Sequence, residues 1–162
     1  MRYQFGKDSP PDFISSLWAF PLVGLIIGMG AGCLLLPTVQ AFLPPAGAAV
    51  IALGFIALAT GALHEDGLAD LADGFGGGRS EADKSRIMHD SHIGSYGVLA
   101  LVLVSLFRVA LLFVVSSMFN DDLSLILFMA IALAAARAQI IYQLCLFPIS
   151  PHAKLGAMLG RP

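Results

Sequence analysis

Asp66, Asp70 and Asp73 stand at i, i+4 and i+7 in the run His64-Glu-Asp-Gly-Leu-Ala-Asp-Leu-Ala-Asp-Gly-Phe-Gly-Gly-Gly-Arg79. On a helix, that spacing puts three carboxylates on one face. Like charges about 6 Å apart repel by about 3 kcal/mol at an effective dielectric of 20, a cost that a cation would remove. Hard carboxylate oxygens with no cysteine nearby favour Mg²⁺, Mn²⁺ or Ca²⁺. Gly74, Gly76, Gly77 and Gly78 follow directly. Glycines let backbone approach a ligand closely and can present N–H groups to phosphate oxygens. A solvated helix end would account for an arbitrary acidic triplet, and a flexible turn for a glycine run, but their adjacency favours a metal-bound phosphate.

Beyond that turn, Ser80-Glu-Ala-Asp-Lys-Ser-Arg-Ile-Met-His-Asp90 predicts a short helix, with Ser80 as N-cap and Asp83 three residues on in a variant of the capping box. Arg79, Lys84 and Arg86 set positive charge beside the acids. That mixture suits a bound diphosphate, whereas a cation channel or transporter subunit, the competing reading, needs only the acids. Asp90 is expected to return to the metal site just before the next apolar run. His64 and Glu65 are candidates for groups that orient the aspartates. The spacing of His64, His89 and His92 matches no common zinc motif. Arg108 and Arg137 lie near the middle of apolar stretches. An Arg there costs about 2.5–3.5 kcal/mol on insertion scales, so each is expected to face the bundle interior, paired with protein or clamping phosphate through its fixed bidentate geometry.

These groups must be positioned by membrane helices. Hydrophobic residues make up 57% of the 162 and charged residues 12%, with a mean hydropathy of +0.83; ordinary soluble domains carry about 25% charged residues. The fold class is all-α, a polytopic transmembrane helical bundle forming a single domain over 1–162. Four apolar stretches approach the roughly 20 residues that a crossing needs: 17–36, 45–63, 96–119 and 123–147. Of the 11 acids, seven fall in the motif loop 64–93, and the second span is read as a helix running on past His64. Gly24, Gly28 and Gly32 recur every four residues and predict a smooth face for close helix packing. Cys33 and Cys145 read as small buried hydrophobes.

Lys and Arg are retained on the cytoplasmic side. Arg2 and Lys7 precede the first span, Arg79, Lys84 and Arg86 lie between the second and third, and Lys154 and Arg161 follow the fourth. The other two connections have none, which predicts both termini and the motif loop in the cytoplasm. The first span is too long for a signal-peptide core and lacks an Ala-x-Ala site. Membrane lipid is an expected partner and nucleic acid is not. Four helices are few for shielding a charged site, so a fragment or a homo-oligomer is expected.

The blocks Glu65-Asp-Gly-Leu-Ala-Asp-Leu-Ala-Asp-Gly74, Gly74-Phe-Gly-Gly-Gly-Arg79 and Met88-His-Asp-Ser-His-Ile-Gly-Ser-Tyr-Gly-Val98, with Phe20-Pro-Leu-Val-Gly-Leu-Ile-Ile-Gly28, closely resemble the cobalamin synthase family, the adenosylcobinamide-GDP ribazoletransferases. The resemblance runs from about Pro11 to the last residue, and family members usually continue through further membrane helices. It implies a Mg²⁺-dependent bacterial inner-membrane transferase acting late in cobalamin synthesis. Such an enzyme joins α-ribazole or its 5′-phosphate to adenosylcobinamide-GDP and releases GMP. It implies metal ligands Asp66, Asp70 and Asp73, a proton acceptor at Asp73 or Asp90, and substrate contacts from the glycine cluster, Arg79, Lys84, Arg108 and Arg137. A weaker likeness links the acidic motif to CDP-alcohol phosphotransferases, whose Ala-Arg element is missing here.

Overall fold

The computed structural model describes residues 16–146 and forms seven helices there: α1 (Ala19–Leu34), α2 (Pro37–Gln40), α3 (Pro45–Ala59), α4 (Leu63–Gly77), α5 (Glu81–Met88), α6 (Ser95–Met118) and α7 (Asp122–Leu146). Arg2, Lys7, Lys154 and Arg161, on which the expected orientation partly rests, lie outside the described residues, as does the end of the fourth predicted span.

The glycines of α1 seat it on α7. A Cβ on Gly24 would stand 2.5 Å from Leu133 O and 2.9 Å from Ala134 Cα, one on Gly28 would collide with Met129 O and lie 2.6 Å from Ala130 Cα, and one on Gly32 would lie 2.8 Å from Ile126 Cα. As the numbers rise along α1 they fall along α7, so the helices run antiparallel with their backbones in contact, as the four-residue repeat predicts. Small residues allow this approach where lipid offers no hydrophobic drive to association. Ala31 and Leu35 then meet Ala49 and Ala52 of α3 and Leu125 and Met129 of α7 in the buried core. Phe55 of α3 fills the space beside Gly30. At the head of α7, Asp121 Oδ1 accepts the Ser124 N–H at 2.8 Å, and that bond holds its carboxyl below the usual range.

Among the described residues, two helices, α6 and α7, are long and apolar enough to cross a membrane, and a third crossing is available if α3 and α4 count as one bent span. α6 faces outward with Leu103, Leu106 and Phe107 exposed, which suits lipid contact. α1 is a shorter apolar helix than the predicted 17–36 span, with sixteen residues.

The expectation that the second span runs on past His64 is corrected. α3 stops at Ala59 because Gly61 (φ +64°) and Ala62 (φ +55°) turn left-handed. Ala62 N–H bonds to Ala57 O at 2.7 Å and Gly61 N–H to Leu58 O at 3.1 Å, the paired bonds of a Schellman stop with glycine at the position that tolerates positive φ. The axis then bends by 90° into α4. Most of the expected loop 64–93 is therefore helical, as α4 and α5.

Candidate functional site

The acids sit on α4 as the helical spacing requires, but their surroundings differ. Asp66 is exposed, Asp70 half-buried and Asp73 buried. Among the described residues, no three carboxylate, imidazole or thiol groups lie close enough together to hold a metal ion. The Asp70 carboxyl is pushed above its ordinary value, first by burial, then by the charges of Asp66 and Asp73, with His89 opposing. His89 Nδ1 donates to Ser85 O at 2.7 Å, so that nitrogen carries the proton. His89 also joins Glu81, Ala82, Ser85 and Arg86 around an open depression of about 650 Å³.

Asp73 is only 8% exposed, and both its oxygens are engaged. Oδ2 accepts the Gly94 N–H at 2.7 Å and Oδ1 the Gly97 N–H at 2.9 Å. Gly94 is the N-cap of α6 and has no side chain to cap it. The two N–H groups are those that a capping box satisfies with two local side chains; here one carboxylate from another helix serves both. Its charge also faces the positive end of α6. A Cβ at Gly94 or Gly97 would collide with that carboxylate, so the Ile-Gly-Ser-Tyr-Gly block is shaped to admit it. Asp73, expected as a metal ligand and proton acceptor, thus has both oxygens engaged by backbone N–H groups. The pairing spans more than twenty residues, and the readable sign of it was a long helix opening without Ser, Thr, Asp or Asn at its cap.

Protein side chains lie close against three of the four clustered glycines expected to contact phosphate. A Cβ on Gly74 would lie 2.7 Å from Met88, one on Gly76 2.5 Å from the Tyr96 ring and one on Gly78 2.6 Å from Lys84. Gly77 has ordinary room beside Ile87. These glycines let α5 and the start of α6 close onto α4. Lys84 Nζ rests 4.5 Å from the Phe75 ring centroid, and Arg79 is exposed in the turn before α5. The predicted cap of α5 is present: Ser80 Oγ accepts the Asp83 N–H at 3.1 Å and donates to Asp83 Oδ2 at 3.0 Å. Asp90 is exposed, and its Oδ1 accepts from His92 Nδ1 at 2.7 Å and His92 N at 3.1 Å. These bonds hold its carboxyl below the usual range.

Arg108, expected to pair with protein or to clamp phosphate, makes an ion pair with protein through one guanidinium nitrogen. Its Nη1 donates to Glu65 Oε1 at 2.9 Å, with the side chains 41% and 19% exposed respectively. Glu65, expected to orient the aspartates, thus ties the start of α4 to α6, and its Oε2 is buried with no hydrogen-bond partner among the described residues. Arg137 belongs to a different helix pair, its Cδ lying against Gly24 of α1; His64 is exposed at the start of α4. Breaking a fully buried pair costs about 3–5 kcal/mol, and the partial exposure here reduces that to roughly 1–2 kcal/mol. Arg108→Met should lower the thermal midpoint of the detergent-solubilised protein accordingly, and adding Glu65→Gln should restore part of the loss. Additive losses in the double variant would deny the coupling.

Of the three aspartates on α4, Asp66 and Asp70 are the two whose carboxylates accept none of the hydrogen bonds described above. A Mg²⁺ ion fits that donor set, because it is commonly bound by one or two carboxylates and completes its shell with water and substrate phosphates. Gly67, between them, has nothing within 4 Å of where a Cβ would stand, which leaves bare helix backbone beside both acids.

The family model of cobalamin-5-phosphate synthase matches residues 3–161. Among curated proteins, the adenosylcobinamide-GDP ribazoletransferase of Azorhizobium caulinodans is 51% identical over 104 residues, covering 64% of this chain and 39% of the relative. That of Bradyrhizobium diazoefficiens is 41% identical over 145 residues, covering 90% and 54%, and that of Rhizobium etli strain CIAT 652 is 40% identical over 144 residues, covering 89% and 55%. The chain thus spans about half the length of the curated relatives it matches, or less. No solved structure matches it.

Proposed function

The chain belongs to the cobalamin-5-phosphate synthase family, and from that premise we propose that it transfers α-ribazole, or its 5′-phosphate, to adenosylcobinamide-GDP. The family match along almost the whole chain carries this reading, and the pair Asp66 and Asp70 beside bare backbone supports it. In the reaction, the ribazole 3′-hydroxyl oxygen bonds to the phosphorus that carries the cobinamide arm, the bond from that phosphorus to GMP breaks, and the hydroxyl proton passes to a base.

Asp66 and Asp70 would hold Mg²⁺, which supplies charge neutralisation on the diphosphate when bound. Arg79 adds a guanidinium at the end of α4, suited to a phosphate oxygen. Asp90 is the exposed carboxylate for the hydroxyl proton. His92 keeps it ionised and available as acceptor, at some loss of basicity. The basic residues of the sequence support a cytoplasmic position for α4, α5 and both ends of the chain in the bacterial inner membrane, with α1 and α3 as two shorter crossings.

The test is complementation of a cobalamin-synthase deletion strain with this polypeptide, together with GMP release from adenosylcobinamide-GDP in washed membranes. Growth with ribazole-dependent GMP release is expected. Divalent-ion flux in proteoliposomes with no GMP formed would overturn the reading.

A further inference from the structure

We propose that Asp73 is a positioning residue, whose carboxylate fixes the loop carrying Asp90 and His92 against the helix carrying Asp66 and Asp70, and that it is not a ligand of the divalent ion. The inference rests on the proposed transfer reaction for its kinetic consequence, and on geometry alone for the contact itself.

Three observations converge on it. The carboxylate is buried, whereas its neighbours on the helix face, Asp66 and Asp70, are exposed and half-buried. Its two oxygens accept two different backbone N–H groups, at the N-cap and third position of α6. Both donors belong to glycines whose missing side chains make the room it occupies. A carboxylate that accepts two N–H bonds in a fitted space is geometrically determined, as second-tier groups of a reaction site must be for reacting groups to stay aligned. The loop 89–93 enters α6 through Gly94, so the same bonds that start the helix also fix where Asp90 and His92 stand. Asp66 and Asp70 are on α4 itself and keep their mutual spacing without that tie. Loss of Asp73 should therefore leave ion binding in place and spoil turnover.

Mn²⁺ binding to the full chain in detergent, followed by electron paramagnetic resonance, separates the roles without requiring activity. Asp70→Asn should weaken Mn²⁺ binding at least tenfold, whereas Asp73→Asn should stay within threefold of the parent protein with the same stoichiometry. At saturating Mg²⁺ and substrates, Asp73→Asn should lower kcat at least tenfold while leaving the Mg²⁺ concentration for half-maximal rate unchanged. Gly97→Ala, which keeps every carboxylate but displaces Asp73, should reproduce that pattern.

Hydrogen exchange tests the contact directly, including in the case where a variant does not fold. In the parent protein, the Gly94 and Gly97 amides should exchange at least tenfold more slowly than the uncapped Tyr96 amide between them. A tenfold or greater fall in Mn²⁺ affinity in folded Asp73→Asn, or unprotected Gly94 and Gly97 amides in the parent protein, would overturn the proposal. Protected amides with no GMP release from the parent would instead preserve the contact and defeat the proposed reaction.

Discussion

Asp70→Asn should lower GMP release at least a hundredfold, about 2.7 kcal/mol of transition-state stabilisation, while the protein inserts and folds as before. Asn keeps the size of the side chain and removes the charge that a hard cation requires. The fold has no use for that charge. Burial, Asp66 and Asp73 together push the Asp70 carboxyl above its ordinary value, so the ionised form is less favourable in the folded protein than in the unfolded chain. A raised carboxyl contributes stability when protonated, and that contribution is lost as pH rises through the folded-state value. At neutral pH the Asn variant should therefore be as stable as the parent or more so. The difference should shrink as pH falls through the carboxylate range. Parallel GMP assays and thermal unfolding check both parts, and activity and stability falling together would mean that Asp70 is structural.

Gly28→Ala should have the opposite profile, with loss of fold first and of everything else as a result. The added methyl would meet backbone on two sides, at Met129 O and Ala130 Cα, and neither is the free end of a flexible side chain. α1 and α7 must move apart, which loosens the contacts of Ala31 with Leu125 and Met129 in the core. Overpacking of this kind costs about 1–3 kcal/mol in well-packed interiors, and a backbone obstruction belongs at the upper end. Gly54→Ala is the control, because nothing lies within 4 Å of its position and a helical alanine gains up to about 1 kcal/mol over glycine. Thermal unfolding in detergent should rank Gly54→Ala at or above the parent and Gly28→Ala well below. Equal midpoints for all three would mean that the α1 glycines do not set the approach of α7.

What was legible in the sequence was local. The four-residue repeat of Gly24, Gly28 and Gly32, the Ser80 cap and the helical spacing of the acids all depend on neighbours within one or two turns. Gly61 was not read as a stop, because the apolar run on both sides of it resembles one continuous span. The partners of Asp73 and Arg108 were not legible, because each bond joins residues far apart in the chain and depends on how α4 lies against α6. The glycines after Asp73 illustrate the same limit. Composition says that backbone is bare there, and only the folded chain says whether a ligand or Met88, Tyr96 and Lys84 take the space.

The pairing of α1 with α7 joins the first described long helix to the last. At synthesis rates of about 5–20 residues per second, the roughly one hundred residues between Gly28 and Met129 take about 5–20 s to make. Throughout that interval the nascent α1 has no native cover for its glycine groove, so it must wait beside lipid or an insertion factor until its mate leaves the ribosome. A pause or truncation before α7 would strand it there, and membrane quality control would then decide the fate of the chain.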